Sequence, residues 1–248
     1  MNYQTEGVVL KSFSSGEYDR IYWFFSPQFG KINFVAKGVR KSLAKLAGGL
    51  EPLTQAEVFL VKGKKIDRVV GVTALDQFQE IQKNLEKNIR ARSILELLFY
   101  LEMDSSEAEK IYFQLKQYLF ELNKSMISLG KTDLLSLGAI WKIIFLSGWG
   151  IDFFHCLSCG EKLQREKKNY FCFGRGVICV DCLKKETENF FHLPIEKDVI
   201  KLLRFLVQQD LIFCKKLNLS DRLILTLKKL TKAYLDEIIG KKMLDLWF

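Results

Sequence analysis

Ile21-Tyr22-Trp23-Phe24-Phe25-Ser26-Pro27-Gln28-Phe29-Gly30-Lys31-Ile32-Asn33-Phe34-Val35-Ala36-Lys37 is two short apolar runs joined by a tight turn. Both runs are rich in β-branched and aromatic residues, which suit a pleated, half-buried surface, and Pro27 and Gly30 mark the turn between them. The same pattern extends outward in both directions. Glu6 to Phe13, Ile21 to Ser26, Lys31 to Lys37, Ala56 to Lys62 and Ile66 to Leu75 all read as strands. Ser14-Ser15-Gly16 and Gly63-Lys64-Lys65 supply further turns, and one long loop follows the third strand. Such a set fits a closed barrel, because an open sheet would leave long apolar edges unpaired. The expectation for residues 1–80 is the five-stranded oligonucleotide-binding barrel, the OB-fold.

Near Gln82 the apolar period changes from two to that of a helix. Ile94, Leu97, Leu98 and Leu101 repeat on one face, and Ser106 with Glu109 has the spacing of a capping box ahead of Ile111, Leu115, Tyr118 and Leu122. Leu134 to Leu146 predicts a further helix, ended by Gly148-Trp149-Gly150. Pro194 is expected to open another through Leu206, and Ser220 to cap a last one through Ile239. The expected architecture is α+β and multidomain. It has the barrel, a helical domain in two parts (residues 81–150 and 191–248) and a cysteine module (residues 151–190) inserted between them.

Cys156-x2-Cys159 and Cys179-x2-Cys182 are two knuckles separated by nineteen residues. Two residues between cysteines let both sulfurs point at one ion, and two knuckles complete a tetrahedral cage of the kind that holds structural zinc. The expectation is one Zn2+ per chain on Cys156, Cys159, Cys179 and Cys182. Four sulfurs leave no open position, so the metal should hold structure and do no chemistry. Cys172, within the strand-like Tyr170-Phe171-Cys172-Phe173, and Cys214 read as small buried side chains.

The 248-residue chain carries a net charge of +9, and the acid-free window from Arg20 to Leu50 accounts for +6 of it. This window contains Arg20, Lys31, Lys37, Arg40, Lys41 and Lys45. With Lys11 and Arg68 these are the candidate phosphate contacts, because barrels of this type bind single strands through a basic groove and stacking aromatics. Tyr22 and Phe29 are the rings expected to be exposed. Lysines of the C-terminal segment alternate with leucines and read as a solvated helix face. Gly130-Lys131-Thr132 lacks the first glycine of a phosphate loop, since position 125 is Ser125, and it follows a helix. No nucleophile-and-base pair stands out, so the chain is not read as an enzyme. No run is long enough to span a membrane, and the cytoplasm is the expected compartment.

The chain resembles the RecO family of bacterial recombination mediators from end to end. The resemblance is carried by Glu6-Gly7-Val8-Val9-Leu10-Lys11, Gly16-Glu17-Tyr18-Asp19-Arg20-Ile21, Gly30-Lys31, Gly38-Val39-Arg40-Lys41-Ser42 and the two knuckles. One departure is Trp149-Gly150-Ile151-Asp152, where members often carry a proline. The resemblance implies binding of single- and double-stranded DNA, strand annealing without ATP, and recombinase loading. It also implies two partners, RecR and the acidic C-terminal tail of single-stranded-DNA-binding protein, and a place at the nucleoid. Lys110, Lys116 and Lys142 are the candidate neighbours of that tail. A zinc-stabilised RNA-binding protein and a protein-binding adaptor are the alternative readings.

Overall fold

The computed structural model of the chain describes residues 2–40, 47–124, 128–164, 167–186 and 191–240. It divides into two compact units, Met1–Met126 and Ile127–Leu246. The division falls inside the 81–150 segment, so the first helices belong with the barrel and the later ones with the cysteine module.

In the first unit, β1 (Asn2–Ser15), β2 (Asp19–Ser26), β3 (Gly30–Ala36), β4 (Gln55–Val61) and β5 (Asp67–Asp76) form a closed barrel in the order β1-β2-β3-β5-β4. This is the expected OB-fold. β1 closes it by pairing with β4 through its first half and with β2 through its second. A register shift between Val9 and Lys11 bends the strand between the two pairings. Gly7 is required here, because a Cβ would sit 2.3 Å from the Phe24 ring. Inside lie Val9, Tyr22, Phe24, Phe34, Val58 and Leu60, all essentially inaccessible.

Three helices follow: α1 (Gln79–Lys83), α2 (Leu85–Tyr100) and α3 (Ala108–Asn123). Asn84 caps α2 by accepting from the Lys87 amide. The residue that receives an amide before α3 is Asp104, whose carboxylate accepts from Ser106 N at 2.8 Å. The expected Ser106 cap is therefore displaced by two residues, because a 3-10 turn (Ser105–Glu107) precedes the helix. α2 packs on β1, and α3 on β2 and β3.

Glu6 ties β1 to α3. Its Oε1 accepts from Gln55 Nε2 at 2.6 Å, Tyr112 OH at 2.7 Å and Lys116 Nζ at 3.0 Å. Burial alone would raise the Glu6 pKa, but the donors from Tyr112, Lys116 and Gln55 outweigh it, and the net shift is downward. A carboxylate with a depressed folded pKa stabilises above its unfolded value and loses that contribution as pH falls through the folded one. Hydrogen bonds to a charged group are worth roughly 1.5–3 kcal/mol. Glu6→Gln should therefore lower stability near neutrality by about that amount. The difference between variant and native protein should shrink as acid titrates the native carboxylate, which melting curves across pH would measure.

In the second unit, α4 (Leu129–Ile144) runs into one π-type turn over Phe145–Trp149, where Gly148 at φ +83° ends it. Gly130-Lys131-Thr132 forms the first turn of α4, and the Thr132 hydroxyl donates to Ser128 O at 2.9 Å. Next come β6 (Asn169–Cys172), β7 (Gly176–Cys179), α5 (Val180–Leu183) and β8 (His192–Ile195), the strands ordered β7-β6-β8. α6 (Lys197–Gln208), α7 (Leu211–Cys214) and α8 (Asp221–Ile239) complete the unit. Pro194 is the third residue of β8, and the helix starts only at Lys197. α4 packs against α6, α7 and α8, so helices flanking the cysteine module do share a core. Its centre is Trp141. The indole N–H donates to Thr231 Oγ1 at 2.9 Å, and the ring stacks on Tyr234 at 5.4 Å. Tyr234 in turn meets Phe171 of β6 edge-on at 5.7 Å, joining the module to the helices.

Candidate metal centre and nucleic-acid interface

The first knuckle is a tight turn. Gly160 N donates to Cys156 O at 2.9 Å, and Gly160 itself is left-handed at φ +72°. Leu157 N reaches Val177 O at 2.8 Å, which lays the knuckle against β7. The second knuckle begins at the last residue of β7 and ends inside α5. Outside the turns, Asp152 accepts from Phe154 N at 2.6 Å and from His155 Nδ1 at 2.8 Å. Arg204 of α6 donates to Phe153 O at 2.8 Å. These bonds hold the approach to the first knuckle in place.

The sulfurs of Cys156, Cys159, Cys179 and Cys182 lie within 4.8 Å of one another. A tetrahedron with zinc–sulfur bonds of about 2.3 Å has sulfurs about 3.8 Å apart, so the donor set fits. Burial opposes ionisation of Cys156, but amides of Cys159, Cys179 and Ser158 aim at its sulfur and bring its pKa down to about 7. Cys182 is pushed the other way, chiefly by its contacts to the sulfurs of Cys179 and Cys159. Four neighbouring thiols cannot all ionise unaided, because each added charge disfavours the next. A bound cation removes that conflict. Cys172 and Cys214 stand outside the cluster and are fully buried, and burial raises both pKa values to about 11.

The cationic candidates separate into two groups. Arg20 at the start of β2 pairs in register with Ala36, Val35 pairs with Arg68, and Arg68 pairs with Val61. These residues therefore share one end of the barrel, the end of the β1–β2 turn. Lys37 and Arg40 leave β3 there. Gly38 N donates to Asp19 Oδ1 at 2.7 Å and Arg40 N to Tyr18 O at 3.1 Å, which pins the exit of β3 to that turn. Lys37, Arg40 and Arg68 are exposed and have no carboxylate in pairing range among the described residues. Arg20 lies 4.0 Å from Glu51. Lys41 and Lys45 lie outside the described residues.

Lys11 and Lys31 are placed elsewhere. Lys11 Nζ sits 5.0 Å from the centre of the Phe99 ring and 5.5 Å from that of Tyr100, both on α2. Lys31 Nζ donates to Phe99 O at 2.7 Å and Leu101 O at 3.1 Å, and burial lowers its pKa. It serves the carbonyl end of α2, where cations are favoured. Tyr22 is corrected outright: at 1% exposure it belongs to the barrel core. Phe29 is exposed and meets Tyr3 edge-on at 5.2 Å. The ring actually offered beside the cations is Tyr18, 46% exposed in the β1–β2 turn.

The lysines read as neighbours of an acidic tail are mostly engaged. Lys110 pairs with Glu107 at 2.9 Å, Lys116 with Glu6 at 3.0 Å, and Lys142 is half-buried near Val207 O at 3.4 Å. Nor is Lys228 on a solvated face, since it pairs with Asp133 at 3.6 Å with both side chains largely covered. Among the described residues no helix is long and apolar enough to cross a membrane.

Two family models cover nearly all of the chain: "Recombination protein O N terminal" over residues 1–78 and "Recombination protein O C terminal" over residues 82–246. The chain belongs to the RecO family. Its curated relatives include proteins named DNA repair protein RecO. That of Dehalococcoides mccartyi is 27% identical over 241 residues, covering 97% of this chain and 92% of the relative. That of Clostridium perfringens is 29% identical over 240 residues, with 96% and 94% covered. That of Acetivibrio thermocellus is 28% identical over 254 residues, with 100% and 96% covered. Membership places the chain among DNA repair and recombination proteins, and the boundary between the two models follows the end of the barrel.

Proposed function

We propose that this RecO-family chain is a non-enzymatic mediator that binds single- and double-stranded DNA and anneals complementary strands without ATP. In this reading it also helps load a recombinase onto single-stranded DNA. The observation that carries the reading is the cationic barrel end, where Arg20, Lys37, Arg40 and Arg68 converge beside the exposed Tyr18 ring. Cations neutralise phosphates and release counterions, which gives affinity without sequence preference, and an exposed ring stacks on any base. Sequence-independent grip is what annealing of arbitrary complementary strands requires. Lys41 and Lys45 continue the same basic run. DNA is favoured over RNA because the relatives carry the DNA repair name.

Cys156, Cys159, Cys179 and Cys182 would hold one Zn2+ as a structural ion. No catalytic residue is assigned. RecR and the acidic tail of single-stranded-DNA-binding protein remain the proposed protein partners, and the cytoplasmic nucleoid the proposed location. A salt titration of single-strand binding, with and without charge reversal at the barrel end, tests the DNA grip. A salt-independent affinity, or one indifferent to those charges, would reject it.

A further inference from the structure

The outward face of α3 belongs to neither the barrel end nor the metal centre. The helix buries Ile111, Leu115, Tyr118 and Leu122 towards the barrel and its neighbouring helices. The opposite stripe is Glu109, Phe113, Lys116, Phe120 and Lys124, at spacings of three and four, and all five are exposed. Phe113 and Phe120 are 59% and 57% exposed. Single apolar residues on a surface need no explanation, but two large rings on one helical stripe form a patch.

The ends of the stripe carry opposite charges. Glu109 lies in the first turn of α3 and has no cation in pairing range among the described residues. Lys124 lies just past the last turn, where it pairs with Glu121 at 2.5 Å and covers the Phe120 ring at 4.6 Å from its centre. Lys116, between the rings, is drawn towards Glu6 at 3.0 Å, so its charge is already answered. Turned end for end about a two-fold axis between positions 116 and 117, the stripe is complementary to itself. Phe113 falls opposite Phe120, Glu109 opposite Lys124 and Lys116 opposite Gln117. The antiparallel arrangement also sets the positive end of each helix dipole beside the negative end of the other. A parallel arrangement would set like charges together.

We propose that α3 is the interface of a homodimer, two copies packed antiparallel through Phe113 and Phe120 with Glu109 and Lys124 paired at each end. A two-fold dimer uses the same patch on both subunits, and this stripe meets that requirement residue by residue. The stripe runs roughly 22 Å, at about 1.5 Å per residue. One helix pair of that length falls short of the roughly 1,200–2,000 Å² of a stable interface, so the dimer should be weak and concentration-dependent. An acidic peptide is disfavoured as the occupant, because Lys110, Lys116 and Lys124 each already hold a carboxylate. The dimer goes beyond the DNA-binding reading and does not depend on it; it would give one particle two cationic barrel ends.

Sedimentation equilibrium without DNA, at low salt and over a range of concentrations, tests the pairing. The mass of native protein should rise from 28.8 kDa towards twice that value. Phe113→Ala/Phe120→Ala should weaken the dimer by about tenfold or more, as loss of central aromatic contacts implies. Glu109→Lys and Lys124→Glu should each weaken it by about tenfold, since each sets like charges together at both ends. An equal mixture of the two single variants should recover dimers, because each end then pairs a lysine with a glutamate. Loss of fold gives no such recovery. Native protein that stays monomeric up to the highest concentration would overturn the inference, as would a dimer indifferent to loss of both rings, or a mixture no heavier than its components.

Discussion

Replacing Cys179 with serine should release the zinc and unfold the cysteine module. Apparent zinc binding in such sites is worth on the order of 10–16 kcal/mol in model peptides, comparable with the whole stability of an ordinary domain, about 5–15 kcal/mol. Cys179 also contributes beyond its sulfur: its amide donates to Cys156 Sγ at 3.4 Å, and it stands at the N-cap of α5. The damage should spread, because Phe171 beside the knuckles packs on Tyr234, which stacks on Trp141. Cys172→Ser should behave differently. It buries a hydroxyl in β6 at a cost of about 1–3 kcal/mol but leaves the four sulfurs in place. Elemental analysis should find one zinc in native protein and in Cys172→Ser and almost none in Cys179→Ser. The reverse pattern would show that the ligand set is wrong.

The second large effect concerns the barrel end. If Arg20, Lys37, Arg40 and Arg68 each neutralise one phosphate, the log–log salt slope for a single strand should be about −2.8, at about −0.7 per phosphate. Lys37→Glu with Arg40→Glu should flatten it by about 1.4 and weaken binding alike for all sequences. Zinc content and melting temperature should not move, since both side chains are exposed outside the two cores. Lys229→Glu, at an exposed position of α8, should leave affinity unchanged; Lys228 cannot serve as that control because of its pairing with Asp133. Lys31→Met provides the converse. It should cost roughly 1.5–3 kcal/mol of stability through its lost bonds to the end of α2, with the salt slope unaltered.

The strands were legible because period-two alternation and turn residues are local signals, and each of the five barrel strands forms within a few residues of its expectation. The knuckles were legible for the same reason: their spacing alone brings the sulfurs together. What alternation could not resolve was β2. Phe24 and Phe25 point to opposite faces, yet both are fully buried, because the barrel fills one side and helices cover the other. With both faces apolar the phase is lost, and Tyr22 was placed outside when it lies within. Lys31 and Glu6 were opaque for another reason. Their partners are 49 to 110 residues away, and nothing local distinguishes a lysine that binds a helix end from one that binds phosphate. The division into two units falls within residues 81–150, and helical periodicity says which segments are helices and not which core they join.

The most direct test of the account is the annealing of two labelled complementary DNA strands in the absence of any nucleotide. Native protein should accelerate annealing, Lys37→Glu/Arg40→Glu should lose most of the acceleration while retaining its zinc and its melting temperature, and Lys229→Glu should anneal as the native protein does. Native protein that leaves the spontaneous rate unchanged, or a barrel-end variant that anneals as fast as native protein, would contradict it.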